Sequence, residues 1–239
     1  MPPESPRPTE GRVGVVVVAA GRSTRMGTVD KTFAPLNGIP LIAHTLSHFE
    51  SCPLVDEIVL VLSAHNLEPG RTVVDQHNFG KVSQICAGGE RRQDSVQKGL
   101  AALQPCQWVM VHDGARPGLD QQILERGLLA VPETGAAVAG VPVTDTIKQV
   151  SANHSITGTL SRETLWAAQT PQIFDYQLLM QAHRNCRQTV TDDAAMLEDM
   201  GHTVKMFLGS YSNLKVTTPQ DLTIMKSLLD AGPACRSPV

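Results

Sequence analysis

The chain has 239 residues, 41% of them hydrophobic and 18% charged, which fits one large α/β domain with a substantial core and excludes wholesale disorder. Aromatics make up 4% and the formal net charge is -3, so stacking platforms are few and nothing pulls the chain toward a polyanion; a nucleic-acid partner is excluded, small phosphorylated ligands are not. The five cysteines, Cys52, Cys86, Cys106, Cys186 and Cys235, are odd in number and lack CxxC spacing, which points to buried thiols in a reducing compartment rather than to structural zinc.

The opening "MPPESPRPTEGR" is Pro-rich without an apolar signal-peptide core, so residues 1–11 read as a disordered tail. Next come a strand-like run "VGVVVVA" at 13–19, a helical spacing at 40–50, and strand-like runs at 57–62 and 81–86. A helical segment at 92–103, a strand at 107–112, a helix at 120–131 and a strand at 135–141 continue the alternation. Repeated strand and helix segments of this kind predict βαβ units and a mostly parallel sheet buried on both faces, with no internal repeat.

From Pro142 to Gln172 the pattern turns polar, with short strand-like pieces at "TIKQV" and "TGTLS". A hairpin projecting from the core, suited to packing on another subunit, is the expectation; a long surface loop is the alternative. Helices are predicted at 176–186 and 192–201, strands at 203–209 and 213–218, and a closing helix at 219–232 with Pro219 in its first turn. The body therefore runs from 12 to 230 as one domain, with an arm at about 142–170 and a second tail at 231–239. No apolar run reaches the roughly 18 to 20 residues of a spanning helix, and a cytoplasmic location without a membrane partner is expected.

Ligands of open α/β sheets sit at the carboxyl ends of the strands, and "AAGRSTRMG" follows the first one. Ala19, Ala20 and Gly21 leave backbone N–H groups open to close approach, and Arg25 and Lys31 supply cations; together they suit a triphosphate. A Walker A loop is excluded because Lys31 and Thr32 follow Asp30 rather than Gly, and a dinucleotide fingerprint because Ser23 stands where Gly is needed. A loop of merely solvated arginines is the bland alternative. His44 and His48 share a helix face but lack an HExxH frame and a third ligand, so no metalloprotease is indicated.

The loop "AAGRSTRMGTVDKTF" is followed in order by "GGERRQDSV", "VHDGARP", "PVTDTIK", "LWAAQTPQIF", "TDDAAMLE" and "NLKVTTPQDL". This series resembles the 2-C-methyl-D-erythritol 4-phosphate cytidylyltransferase family over about 12 to 230. The resemblance implies transfer of CMP from CTP to 2-C-methyl-D-erythritol 4-phosphate, with release of pyrophosphate, in the non-mevalonate route to isoprenoid precursors. It also implies a Rossmann-like twisted sheet flanked by helices, with a β-arm exchanged across a homodimer. The nearest alternatives are a ribitol 5-phosphate cytidylyltransferase, from which Ala115 in "HDGARP" is a modest discriminator, and a catalytically silent nucleotide-binding relative.

A phosphate monoester is already ionised near neutral pH, so this reaction needs cations and positioning rather than a general base. By resemblance, Arg25, Lys31 and Lys215 act on the phosphates, and Ala19, Ala20, Gly21, Gly88, Gly89 and Ser95 hold CTP. Asp113 and Arg116 fall to the methylerythritol phosphate pocket, as do Thr170 and Thr191, either of which could instead cap a turn or helix. Thr146 and Arg162, in the arm, would reach the neighbouring subunit's site. Magnesium or another divalent cation is expected on the CTP phosphates, with Asp113 as a possible protein ligand. His112 reads as structural, Arg91 as exposed, and Arg92 and Asp94 carry no assigned role. The family usually reads Pro-Lys-Gln at the first-loop lysine, whereas here it is Asp30-Lys31-Thr32 in a segment one residue shorter.

Overall fold

The computed structural model describes residues 11–21 and 31–232. Arg25, Cys235 and nearly all of the two expected tails lie outside the described residues. Apolar runs of four to seven residues are too short for buried helices and form the central strands. Strand β1 is Val13–Ala19; a small hairpin follows, β2 at Pro35–Leu36 and β3 at Ile39–Pro40, closed by Asn37 (φ 53) and Gly38 (φ 79). An Asn-Gly pair with both φ values positive is the turn that matches the twist of two paired strands. Then come α1 (Leu41–Glu50), β4 (Glu57–Leu62), α2 (Leu67–Gln76), β5 (Val82–Ala87), α3 (Arg92–Ala102), β6 (Trp108–Asp113), α4 (Gln121–Ala130) and β7 (Ala136–Pro142). The chain continues through β8 (Lys148–Val150), β9 (Ile156–Thr159), β10 (Trp166–Asp175), α5 (Tyr176–Asn185), α6 (Ala194–Asp199), β11 (Lys205–Leu208) and α7 (Pro219–Asp230).

Seven strands form one sheet in the order β11-β7-β10-β6-β1-β4-β5. β1 lies between β4 and β6, parallel to both, with Val16 in register with Val59 and Val111. β10 runs antiparallel between β6 and β7. Alternate side chains feed two core layers. On one face Val15, Val17, Leu60 and Met110 pack with Ile42, Leu46 and Phe49 of α1 and Ile123 and Leu128 of α4. On the other, Val16, Val59, Val61 and Val111 meet Val96 and Leu100 of α3 and Leu179 of α5. A third cluster of Leu36, Leu41, Val216 and Met225 seats α7 against the small hairpin. Among the described residues no helix is long and apolar enough to cross a membrane.

Two expectations need correction, and one helix has no counterpart among them. Residues 213–218 are not a strand: Val216 makes one backbone bond, N to Ala115 O at 2.8 Å, and Thr218 caps α7 by accepting from Asp221 N. Helix α2 is not evident in its sequence because Pro69 and Gly70 interrupt the pattern, yet Gly70 lies directly on Leu62. The arm is shorter than expected, since residues 166–170 belong to β10 in the main sheet; β8 and β9 alone make the projecting hairpin.

Candidate active site

The strand order brings the loops after β1, β4, β5 and β6 side by side, and they enclose a cleft of about 890 Å³. Ala19, Ala20 and Gly21 line it after β1, Ser63 and His65 after β4, Gly88 and Gly89 after β5, and Asp113 and Ala115 after β6; Lys31, Arg92, Ser95 and Lys215 complete the wall. Gly88 is pressed so close to the first loop that a Cβ there would stand 2.3 Å from the Ala20 Cβ. Its carbonyl accepts from Lys98 Nζ at 2.9 Å, and Gly89 N donates to Ser95 Oγ at 3.0 Å. Ser95 Oγ in turn donates to Arg91 O at 3.2 Å. The glycine loop is thus held from both sides by α3. The helix starts there because the Asp94 carboxylate accepts from Arg91 N at 3.1 Å.

Asp113, at the end of β6, collects three cations. Lys215 Nζ stands 2.7 Å and Arg116 Nε 3.6 Å from its Oδ2, and Arg92 Nε 3.3 Å from its Oδ1. Burial by itself would raise the Asp113 carboxyl, but Arg92, Lys215 and Arg116 outweigh it and hold the group far below the usual carboxylate range. The site is therefore a buried carboxylate inside a positive collar, suited to an anionic ligand bearing hydroxyls.

Behind Asp113 runs a chain of hydrogen bonds. Asp113 N donates to Thr170 Oγ1 at 3.0 Å, and that hydroxyl is 3.1 Å from His112 Nδ1. His112 Nε2 is 3.3 Å from Arg116 O. A carbonyl needs a donor, so the proton sits on Nε2, and Nδ1 accepts from Thr170. Burial pushes His112 down to about 3, so the ring is neutral. Arg116 is fixed in turn by Nη1 donating to Asn213 O at 2.8 Å, and Asn213 Nδ2 donates to Thr170 O at 2.8 Å.

Of the residues singled out in the sequence, Ala19, Ala20, Gly21, Lys31, Gly88, Gly89, Ser95, Asp113 and Lys215 share this one cleft, and Arg116 adjoins it through Asp113. Thr170 is buried, with its hydroxyl committed to Asp113 and His112 rather than turned to the cleft. Thr191 is exposed and outside the lining, and it is not the helix cap either: Gln172 Oε1 accepts from Asp193 N and Ala194 N, and Asp192 Oδ1 from Ala195 N. Thr146 and Arg162 are exposed on the arm, away from this cleft, with Arg162 Nη1 donating to Thr144 O.

Of Arg92 and Asp94, the two residues left without a role in the sequence, Arg92 is the one that reaches Asp113. It lines the cleft, touches Asp113, and donates through Nη1 to the fully buried Asp193 at 2.6 Å. Its neighbour Arg91 is exposed and paired with Asp94 at 2.6 Å. Both arginines line the cleft, and their partners distinguish them: Arg92 alone of the two reaches Asp113 and Asp193. Among the described residues no group of three or more His, Cys, Asp or Glu side chains could hold a metal ion.

The family model described as IspD, 2-C-methyl-D-erythritol 4-phosphate cytidylyltransferase, matches residues 13–231. The chain is 49% identical over 221 residues to the 2-C-methyl-D-erythritol 4-phosphate cytidylyltransferase of Dehalococcoides mccartyi, covering 92% of this chain and 97% of the relative. It is 42% identical to that of Alkaliphilus oremlandii, covering 91% and 95%. Among solved structures, the 4-diphosphocytidyl-2C-methyl-D-erythritol synthase of Anaerococcus prevotii superposes with a TM-score of 0.81 at 26% identity, over 92% of this chain and 96% of that one. The cytidylyltransferase of Thermus thermophilus gives 0.75 at 30% identity, over 90% and 98%.

Proposed function

The chain belongs to the 2-C-methyl-D-erythritol 4-phosphate cytidylyltransferase family, and we propose that the strand-edge cleft is where its reaction takes place. That reaction transfers CMP from CTP to 2-C-methyl-D-erythritol 4-phosphate in isoprenoid biosynthesis. The observation that carries the assignment is the meeting of two features in one cavity: a pair of glycines tight against the first loop, and a carboxylate ringed by Arg92, Arg116 and Lys215.

The nucleotide lies along Ala19 to Gly21 and the Gly88–Gly89 loop, where absent side chains let its base and ribose approach the backbone. Lys31 and Lys215 offset the charge of the triphosphate as the acceptor's phosphate oxygen attacks the α-phosphorus in line and pyrophosphate leaves. Asp113 and Arg116 hold the acceptor, and Arg25, outside the described residues, is assigned to the phosphates on the sequence alone. Thr170 acts through Asp113, whose backbone it holds.

A divalent cation such as magnesium fits the donor set in one way. Asp113 is a hard oxygen ligand in the cleft, but its oxygens are already shared among three cations, so most of the metal's ligands would come from the CTP phosphates and water. Bound so, the ion would supply further charge for the leaving pyrophosphate.

The active unit is a homodimer joined by the arm. Val150 and Ile156, paired across β8 and β9, are 54% and 65% exposed, an apolar tip without a cover in one chain. Thr146 and Arg162 lie outside their own chain's cleft, which supports their service to the partner's acceptor site. The free thiols Cys52, Cys86, Cys106 and Cys186 support a cytoplasmic location.

Pyrophosphate release from purified protein with CTP and Mg²⁺ tests the assignment, comparing 2-C-methyl-D-erythritol 4-phosphate with ribitol 5-phosphate and CTP with ATP, GTP and UTP. Release with CTP and the methylerythritol acceptor is expected; preference for ribitol 5-phosphate, or no release with any pair, overturns it.

A further inference from the structure

We infer that the buried Arg92–Asp193 ion pair is a positioning unit: it holds Asp113 in place while Lys215 leaves that carboxylate for the substrate phosphates. The inference rests on the cleft being the transfer site.

The three cations around Asp113 differ in what else restrains them. Arg116 is buried and tied to Asn213 O through Nη1. Arg92 spans two carboxylates, its Nε on Asp113 Oδ1 at 3.3 Å and its Nη1 on Asp193 Oδ2 at 2.6 Å. Lys215 is the most open of the three, with 40% of its side chain exposed, and it sits on an ammonium stem with four rotatable bonds. An arriving dianion competes with Asp113 for these cations, and the one free to swing is Lys215. Once it has gone, Oδ2 keeps Arg116 nearby and Oδ1 keeps Arg92.

Arg92 can serve as an anchor only if something fixes it in turn, and Asp193 does so. Its side chain is fully buried, its N–H donates to Gln172 Oε1 at 3.1 Å, and it does not line the cleft. Asp193 therefore acts on the site through Arg92. A buried charge cannot drift from its partner without being left uncompensated. The pair is a poor device for stability alone, because Arg92 Nη2 and Asp193 Oδ1 are both buried without a hydrogen-bond partner, and His183 Nε2 stands 3.8 Å off. Its geometry is set instead by the reach of one guanidinium to two carboxylates in different directions.

The test is steady-state kinetics of pyrophosphate release, with CTP and 2-C-methyl-D-erythritol 4-phosphate varied separately. Asp193→Asn keeps the shape of Asp193 and removes its charge; Arg92→Lys keeps the positive charge but cannot occupy both positions. Each is expected to lower kcat about tenfold or more while KM for CTP stays within about twofold, as misplacement of a positioned group does. The two combined should be no slower than the worse single variant, because both break one link. An apolar replacement, Arg92→Met with Asp193→Leu, removes both charges at similar volume and should keep a cooperative thermal unfolding transition with the same low kcat.

Wild-type kcat in Asp193→Asn, or losses that multiply in the combined variant, would overturn the inference. So would a raised KM for CTP at unchanged kcat, which would put Arg92 on the nucleotide itself. Failure of the wild-type protein to release pyrophosphate is a separate result, since it strikes the assignment of the cleft and not the pair.

Discussion

His112 shows how a single residue can be functional in position and inert in chemistry. Its ring is neutral because burial pushes it down to about 3, against about 6.5 for an exposed histidine. Between those values the unfolded chain binds a proton that the folded chain does not, so stability falls as pH drops from about 6.5 toward 3 and the loss saturates below. His112→Gln should flatten that acid slope by up to about 1.4 kcal/mol per pH unit, read from denaturant unfolding across the range; an unchanged slope would show that the ring charges in the folded state. Lys215 is the converse case, a partly exposed cation whose ammonium stands 2.7 Å from the buried Asp113 carboxylate, which Arg92 and Arg116 also face. Lys215→Ala should lower kcat by about 10²- to 10³-fold while the protein keeps a cooperative unfolding transition. Turnover at the wild-type rate would remove Lys215 from the chemistry. The candidate roles of Lys215 and Asp113 were legible because each sits in a distinctive local string; Arg92 was not, because "RR" does not say which arginine reaches Asp113.

At the scale of elements, the decisive feature is how closely β1 and β5 hand over to their loops. A Cβ at Gly88 would stand 2.3 Å from the Ala20 Cβ and 2.7 Å from Ser95 Oγ, so Gly88→Ala must push the glycine loop off the first loop. Such overpacking costs about 1–3 kcal/mol. KM for CTP should rise about tenfold or more with a smaller effect on kcat, as loss of ground-state binding would give; an unchanged KM would separate this loop from the nucleotide. The parallel strands were legible from composition, since β4 and β6 are buried along their whole length and contain the apolar runs 58–62 and 108–111. β10 was not, because Gln169, Thr170 and Gln172 make a core strand look like a polar loop. Their polarity is satisfied across elements: Gln169 Nε2 donates to Ser210 O at 2.9 Å and Gln172 Nε2 to Asp192 Oδ2 at 2.8 Å. No local pattern records such partners.

At the scale of the whole molecule, the arm is the element whose proposed role lies outside one chain. Ile156→Lys places a charge on its exposed apolar tip. The wild-type protein is expected to sediment as a dimer and the variant to dissociate, with kcat/KM for the acceptor lowered about tenfold or more as Arg162 is withdrawn from the partner's site. A fully active monomer would return Thr146 and Arg162 to the surface.

The sequence by itself determined the alternation of strands and helices, the polar hairpin, the close-approach loops and which cations are candidates for a phosphate site. Each of these is written in consecutive residues as a period, a turn pair or a motif. Tertiary structure alone decided which of two adjacent arginines pairs with Asp113, that Thr170 supports Asp113 from behind, and that Val216 is a buried loop residue rather than part of a strand. Those outcomes depend on partners 21 to 101 positions away, such as Arg92 with Asp113 and Asp193, and a neighbour so distant leaves no trace in local spacing until the sheet order brings it into contact.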